Sequence, residues 1–310
     1  MPRRSLLLVA LSLWPALAFA QDVVRLEVYP PEVRLDGPEA SQRLIVVGVR
    51  EDGSRTDMTD ASVVQLGDSS LVRLDEARKV RPVRDGEGSI EVRVGSTQAK
   101  VPVHVNRATG ERRVSFRHEI VPVLTKLGCN QGACHGSQHG KGGFKLSLLG
   151  FEPEADYTAI VKSAEGRRAS PALPDDSLLI LKPTLQVPHG GGKKLDVQSS
   201  DYELIQLWLE QGASPPDPKD PAISALWVYP AERLGGPGAT QRLVVMASYS
   251  DSTVRDVTDH ARFDSLNEGL ATVTRDGLAQ VVAKGSRRDD LMPTMPTVSS
   301  SRTGSRSGEM

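Results

Sequence analysis

Cysteine is scarce. The 310-residue chain holds two, Cys129 and Cys134, so a disulfide-dense scaffold is excluded. Aromatic residues reach only 4%, too few for one large aromatic core. Neither sign of charge dominates, with 38 Lys and Arg against 39 Asp and Glu. That balance removes the basic field of a nucleic-acid binder and the block of acid expected of a charged tail. Methionine is missing between Met58 and Met246. Apolar runs are short everywhere except near the N-terminus. Glycine (28) and proline (21) are plentiful, which favours turn-rich small domains packed with Val and Leu.

The one long apolar run, residues 5–19, follows Arg3-Arg4 and ends at Ala18-Phe19-Ala20. A positive start, an apolar stretch and a small-x-small site predict a secretory signal peptide over 1–20. The run is short for a membrane span and carries Pro15. No cysteine follows the cleavage site, so lipid anchoring is not expected. The chain is expected to be exported, to a periplasm or cell surface, with no membrane span after cleavage.

An internal repeat brackets a different middle. Residues 26–60 and 226–259 align with one gap at Val33, and 18 of 34 paired positions are identical. Both copies carry Val-Tyr-Pro, Gln-Arg-Leu and Asp-x-Thr-Asp. Short apolar runs broken by Asp52-Gly53 and Asp276-Gly277 predict β-hairpins. Their spacing predicts a small β-sandwich. An opening Val28-Tyr29-Pro30, a Gly53 to Thr59 segment and the stretch from Asp276 to Gly285 resemble bacterial Ig-like domains of group 2. That resemblance implies spacing, presentation or adhesion without chemistry of its own.

Between the copies lies Cys129-Asn130-Gln131-Gly132-Ala133-Cys134-His135. Two thiols and an adjacent imidazole are what covalent haem attachment needs, usually as C-x2-C-H. Here four residues separate the cysteines, and Gly132 lets the extra pair bulge. His135 is the expected proximal iron ligand. With no methionine nearby, His189 in Val187-Pro188-His189-Gly190-Gly191-Gly192 is the expected distal one. The cysteines alternatively form a Cys129–Cys134 disulfide, or a zinc site with His135 and His139. Around this string, Ser115 is expected to cap a helix over 116–127, bent by Pro122, and Ser199 or Ser200 to cap a second with Tyr202, Ile205, Trp208 and Leu209 on its apolar face. Arg167-Arg168 and Lys193-Lys194 are expected to be solvated, or alternatively to contact haem propionates or an acidic redox partner. No nucleophile elbow follows the His-Gly-Gly-Gly stretch, so a hydrolase is not expected.

The middle segment resembles the cytochrome c-like domain of planctomycete-type proteins. The matching stretches are Cys129 to Gly136, Gly143 to Gly150, Pro188 to Gly192 and Asp201 to Ala213. The resemblance implies covalent haem c on Cys129 and Cys134, iron held by His135 and His189, and an electron carrier rather than a catalyst, serving a redox partner or a cell-envelope protein. The expected fold class is therefore multidomain α and β. It comprises an Ig-like β-sandwich (23–106), a small all-α cytochrome c-like domain (114–214), a Pro-rich linker (215–222) and a second, truncated Ig-like β-sandwich (223–285). Residues 286–310 lose all alternation and are expected to be disordered, or the product of a frameshift near Gly285. The alternative function is a cell-surface structural or adhesion protein, with the disulfide and no haem.

Overall fold

The computed structural model describes residues 23–284 and the short strand Leu291–Pro293. The expected signal peptide and most of the expected disordered tail lie outside the described residues. The first repeat forms β1 (Val23–Tyr29), β2 (Val33–Asp36), β3 (Ile45–Arg50), β4 (Arg55–Asp57), β5 (Val63–Leu66), β6 (Val72–Leu74), β7 (Val80–Pro82), β8 (Gly86–Val94) and β9 (Thr97–Asn106). They assemble as a β1-β3-β4 sheet, a β2-β9-β8-β5 sheet and a β6-β7 hairpin. Valines at alternate positions of β8 and β9 face inward. With Leu35, Val46 and Leu71 they make one core shared by the layers.

The middle segment contains α1 (Val121–Lys126), α2 (Pro153–Tyr157), α3 (Leu178–Leu181) and α4 (Ser200–Glu210), joined by turns and single-turn helices. The expected helix over 116–127 forms as one continuous helical run to Lys126: a π-turn over Phe116–Ile120, capped by Ser115, leads directly into α1, and Pro122 sits at the junction of the two. Ser199 caps α4 by accepting from the Tyr202 amide at 3.2 Å. Leu204, Ile205, Trp208 and Leu209 of α4 are buried against Phe116, Ile160 and Ile180.

The second repeat forms β10 (Ile223–Tyr229), β11 (Thr240–Arg242), β12 (Val244–Tyr249), β13 (Val254–Asp256), β14 (Phe263–Ser265), β15 (Ala271–Val273) and β16 (Leu278–Val281), and β17 (Leu291–Pro293) pairs with β14. The sheets are β10-β12-β13, β11-β16-β15 and β14-β17. Among the described residues nothing takes the place of β9. The consequence shows at equivalent leucines: Leu35 is 1% exposed and Leu234 is 82% exposed.

The expected fold class is corrected. The chain is mostly β, built as several small sheets, and no distinct all-α cytochrome c-like domain forms between the repeats. The physical reason is the density of helix breakers. Pro153, Pro174 and Pro183, with glycines such as Gly143, Gly150 and Gly166, leave α4 as the one uninterrupted α-helix of the segment longer than two turns.

A buried imidazole, His118, and a half-buried one, His260, lie where the second repeat meets the middle segment. His118 has no hydrogen bond on either ring nitrogen and packs edge-on to Tyr249. His260 leaves Nδ1 unpaired. Burial lowers both pKa values. The residual charges are Asp220, Arg255 and Arg117 around His118, and Glu119, Asp259, Asp201 and Lys126 around His260. A depressed folded pKa means that the unfolded chain binds the proton first. Stability is therefore full above pH 6.5 and is expected to fall as pH drops through it. Melting temperature measured from pH 7.5 to 5 should decline, and His118→Phe should flatten part of that slope.

Candidate functional site

Leu127 ends α1, Gly128 turns the chain, and the string from Cys129 to Gly136 closes on itself. The Cys134 amide donates to the Gln131 carbonyl, the His135 amide to the Cys129 carbonyl, and the Gly136 amide to the Gln131 carbonyl, all at 2.9–3.0 Å. Gly136 has a steric role here: a Cβ built on it would sit 2.0 Å from the Asn130 carbonyl oxygen. The buried Asn130 staples the loop to α1. Its side-chain NH2 donates to the Thr125 hydroxyl at 2.8 Å, and its backbone carbonyl accepts from the Leu149 amide at 3.0 Å. Sequence reading passed over Asn130, since an asparagine beside cysteine in a glycine-rich run reads as an ordinary solvated turn residue.

The structure brings Cys129, Cys134, His135 and His189 to one cavity of about 570 Å³. His118 and His139 are not among its lining residues. The His135 and His189 rings face each other nearly parallel, with centroids 6.3 Å apart and planes inclined by 12°. Each ring is fixed from behind. His135 Nδ1 bonds to the Phe144 carbonyl at 3.0 Å and His189 Nδ1 to the Gly192 carbonyl at 2.8 Å. A carbonyl only accepts, so in the neutral ring Nδ1 carries the hydrogen and Nε2 keeps a lone pair. Burial lowers the His135 pKa and favours that neutral form. Phe144 also packs on the His135 ring at 4.5 Å and is covered on another side by the Arg168 guanidinium at 4.7 Å. Arg168 is itself held by the Ala159 and Gly143 carbonyls. Leu127, Leu146 and Ile205 form apolar wall, and Arg167, Arg168, Lys182 and Lys194 bring positive charge to the lining.

The haem c expectation is corrected. Among the described residues no group of three or more His, Cys, Asp or Glu side chains is arranged to hold a metal ion. Both cysteines are free thiols, so neither the alternative disulfide nor the alternative zinc set is formed. Burial, and then the neighbouring Cys134, push the Cys129 thiol up to about 12, the opposite of an activated thiol. Iodoacetamide at pH 8 is expected to modify Cys129 at least about tenfold more slowly in the folded protein than after denaturation. Mass mapping of the alkylated peptide reads this directly.

Among the described residues no helix is long and apolar enough to cross a membrane. No protein-family model matches the chain, and no curated protein matches it in sequence. Among solved structures it is similar to domains 4 and 5 of the S-layer protein SbsC, at 18% identity over 27% of this chain and 51% of that one, with a TM-score of 0.23. It is also similar to SbsC domains 5–6, at 19% identity over 29% of this chain and 47% of that one, with a TM-score of 0.24. Each match thus spans about half of the solved chain.

Proposed function

We propose that the chain is an exported binding module whose middle segment takes a flat, largely apolar molecule bearing acidic groups. The observation that carries this reading is the facing pair His135 and His189. Two rings are held nearly parallel by backbone carbonyls, each with an Nε2 lone pair left free, in the lining of one cavity. A surface histidine needs no such double restraint. A ligand with a thin edge enters between the rings, its apolar body meets Leu127, Leu146 and Ile205, and its acidic groups meet Arg167, Lys182 and Lys194. The two β units contribute nothing to the cavity lining and serve as carriers for it. Export follows from the N-terminal sequence, with the cell envelope as the place of work.

The test is a fluorescence titration with 1-pyrenebutyrate, a flat apolar body with one carboxylate. Saturation at one equivalent is expected. His189→Ala, in a loop outside the core, is expected to weaken binding about tenfold, close to 1.4 kcal/mol. A paired Arg167→Gln, Lys194→Gln change should weaken it further at low salt than at high salt. Unsaturable uptake, or equal affinity in all variants, rejects the reading. A structural module of the envelope is then the reading left, favoured by the mutual pairing of the two β units.

A further inference from the structure

The two repeats do more than resemble each other; they bind each other, and the main polar contacts occur twice with the roles exchanged. The Arg43 amide donates to the Asp256 carboxylate at 2.7 Å, and the Arg242 amide donates to the Asp57 carboxylate at 2.6 Å. Gln42 Nε2 reaches Asp256 at 3.2 Å, and Gln241 Nε2 reaches Asp57 at 3.4 Å. The Arg43 side chain pairs with Asp259, and the Arg242 side chain pairs with Asp60. Tyr29 and Tyr229 stack on each other at 5.2 Å. Ile45 and Val47 pack with Val244 and Met246 in one buried cluster. Every one of these pairs joins non-equivalent positions of the alignment or the same position of both copies, as a local twofold axis requires.

A face that is bound by its own copy is self-complementary. The first unit carries the whole set on one surface: donors at Gln42 and Arg43, acceptors at Asp57 and Asp60, and an apolar centre at Ile45 and Val47. Two first units brought together about the same axis would satisfy Arg43 with Asp60 and the Arg43 amide with Asp57, twice over. Lys79 strengthens the case. It pairs with Asp259, and in the second repeat its aligned position is Leu278, so this contact is made once within the chain and would be made twice between first units. Ile45 and Val47 replace Val244 and Met246 with side chains of similar volume, so the centre is not overpacked.

We propose that this face is a self-recognising docking surface, occupied by the second unit within one chain and by the first unit of a second copy once the second unit is displaced. In the closed chain the folded segment over residues 107–222 makes the internal pairing unimolecular, so that it outcompetes an external partner. Weakening the internal partner therefore exposes the face to an external one.

Sedimentation equilibrium of the full chain tests this. Wild-type protein is expected to sediment as a monomer. Met246→Arg places a charge in the centre of the internal interface and is expected to double the weight-average mass with rising concentration. Asp259→Arg, at a partly exposed position, sets three positive groups against one another and should give the same dimer without burying a new charge. Adding Ile45→Arg to either variant should return it to a monomer, while 1-pyrenebutyrate binding by the middle segment monitors its integrity. Opened variants that remain monomeric at every concentration overturn the proposal, and so does a dimer that survives Ile45→Arg.

Discussion

Trp208→Ala is expected to lower unfolding free energy by about 3–5 kcal/mol. Trp208 is fully buried at the centre of the middle segment. It packs on Phe116 with ring centroids 5.3 Å apart, and its indole N–H donates to the Ser214 carbonyl at 3.0 Å. Truncation removes the largest apolar surface of a core made from short helices, which has little regular backbone to fall back on. One turn before it on α4, Ile205 lines the cavity, so the same variant should lose 1-pyrenebutyrate binding. Trp208→Phe should keep most of the packing and forfeit the hydrogen bond, at a cost of about 1 kcal/mol. Urea unfolding with paired binding titrations separates the two. Equal stability of Trp208→Ala and wild type would mean that α4 does not anchor the segment.

The position of Trp208 was readable from sequence because α4 is the one helix with a clean period. Tyr202, Ile205, Trp208 and Leu209 recur at helical spacing, a serine precedes them and Gly212 follows. Asp-Gly turns were equally legible: Gly53 and Gly277 both adopt the positive φ that such a turn needs. The region between was not. From Gly128 to Gly150 the backbone is held by individual turn hydrogen bonds, which leave no period in the sequence. The motif there invited a helical domain by analogy, and the prolines and glycines of this chain preclude one. The gathering of Cys129, Cys134, His135 and His189 was anticipated as a set. Their restraint by the Phe144 and Gly192 carbonyls was not, because backbone acceptors carry no residue signature. The mutual binding of the repeats left a trace that was visible yet unread. Gln-Arg and Asp-x-Thr-Asp recur in both copies, and part of that recurrence is local, since Asp57 and Asp256 close a turn on the Thr59 and Thr258 amides; the Arg43 and Arg242 side chains and Asp60 and Asp259 have their partners across the repeats.

The two halves of that interface are alike in geometry and unlike in energy, and this gives the second large expectation. Asp259 meets both Arg43 and Lys79, and its side chain is 33% exposed. The equivalent Asp60 meets Arg242 alone and is 79% exposed. Asp259→Asn leaves the nearly buried Lys79 ammonium without its counter-charge. Loss of one member of a fully buried pair costs about 3–5 kcal/mol. With partial exposure, about 2 kcal/mol is expected here. Asp60→Asn should cost below about 1 kcal/mol. Burial opposes ionisation of Asp259, but Arg43 and Lys79 outweigh it and hold the carboxyl at about 2. Its unfolded value is near 3.8, so the contribution is complete above that pH and disappears as pH falls through about 2. Lys126 stands outside the effect, since its ammonium donates to the Asp259 backbone carbonyl at 2.8 Å, which Asn retains. Chemical denaturation at pH 7 and at pH 2.5 should therefore separate the two variants at the first pH and bring Asp259→Asn closer to wild type at the second. If the two substitutions prove equally mild at neutral pH, Lys79 finds another counter-charge, and the join between the repeats rests on its apolar centre, the tyrosine stack and the bonds to Asp57 and Asp256.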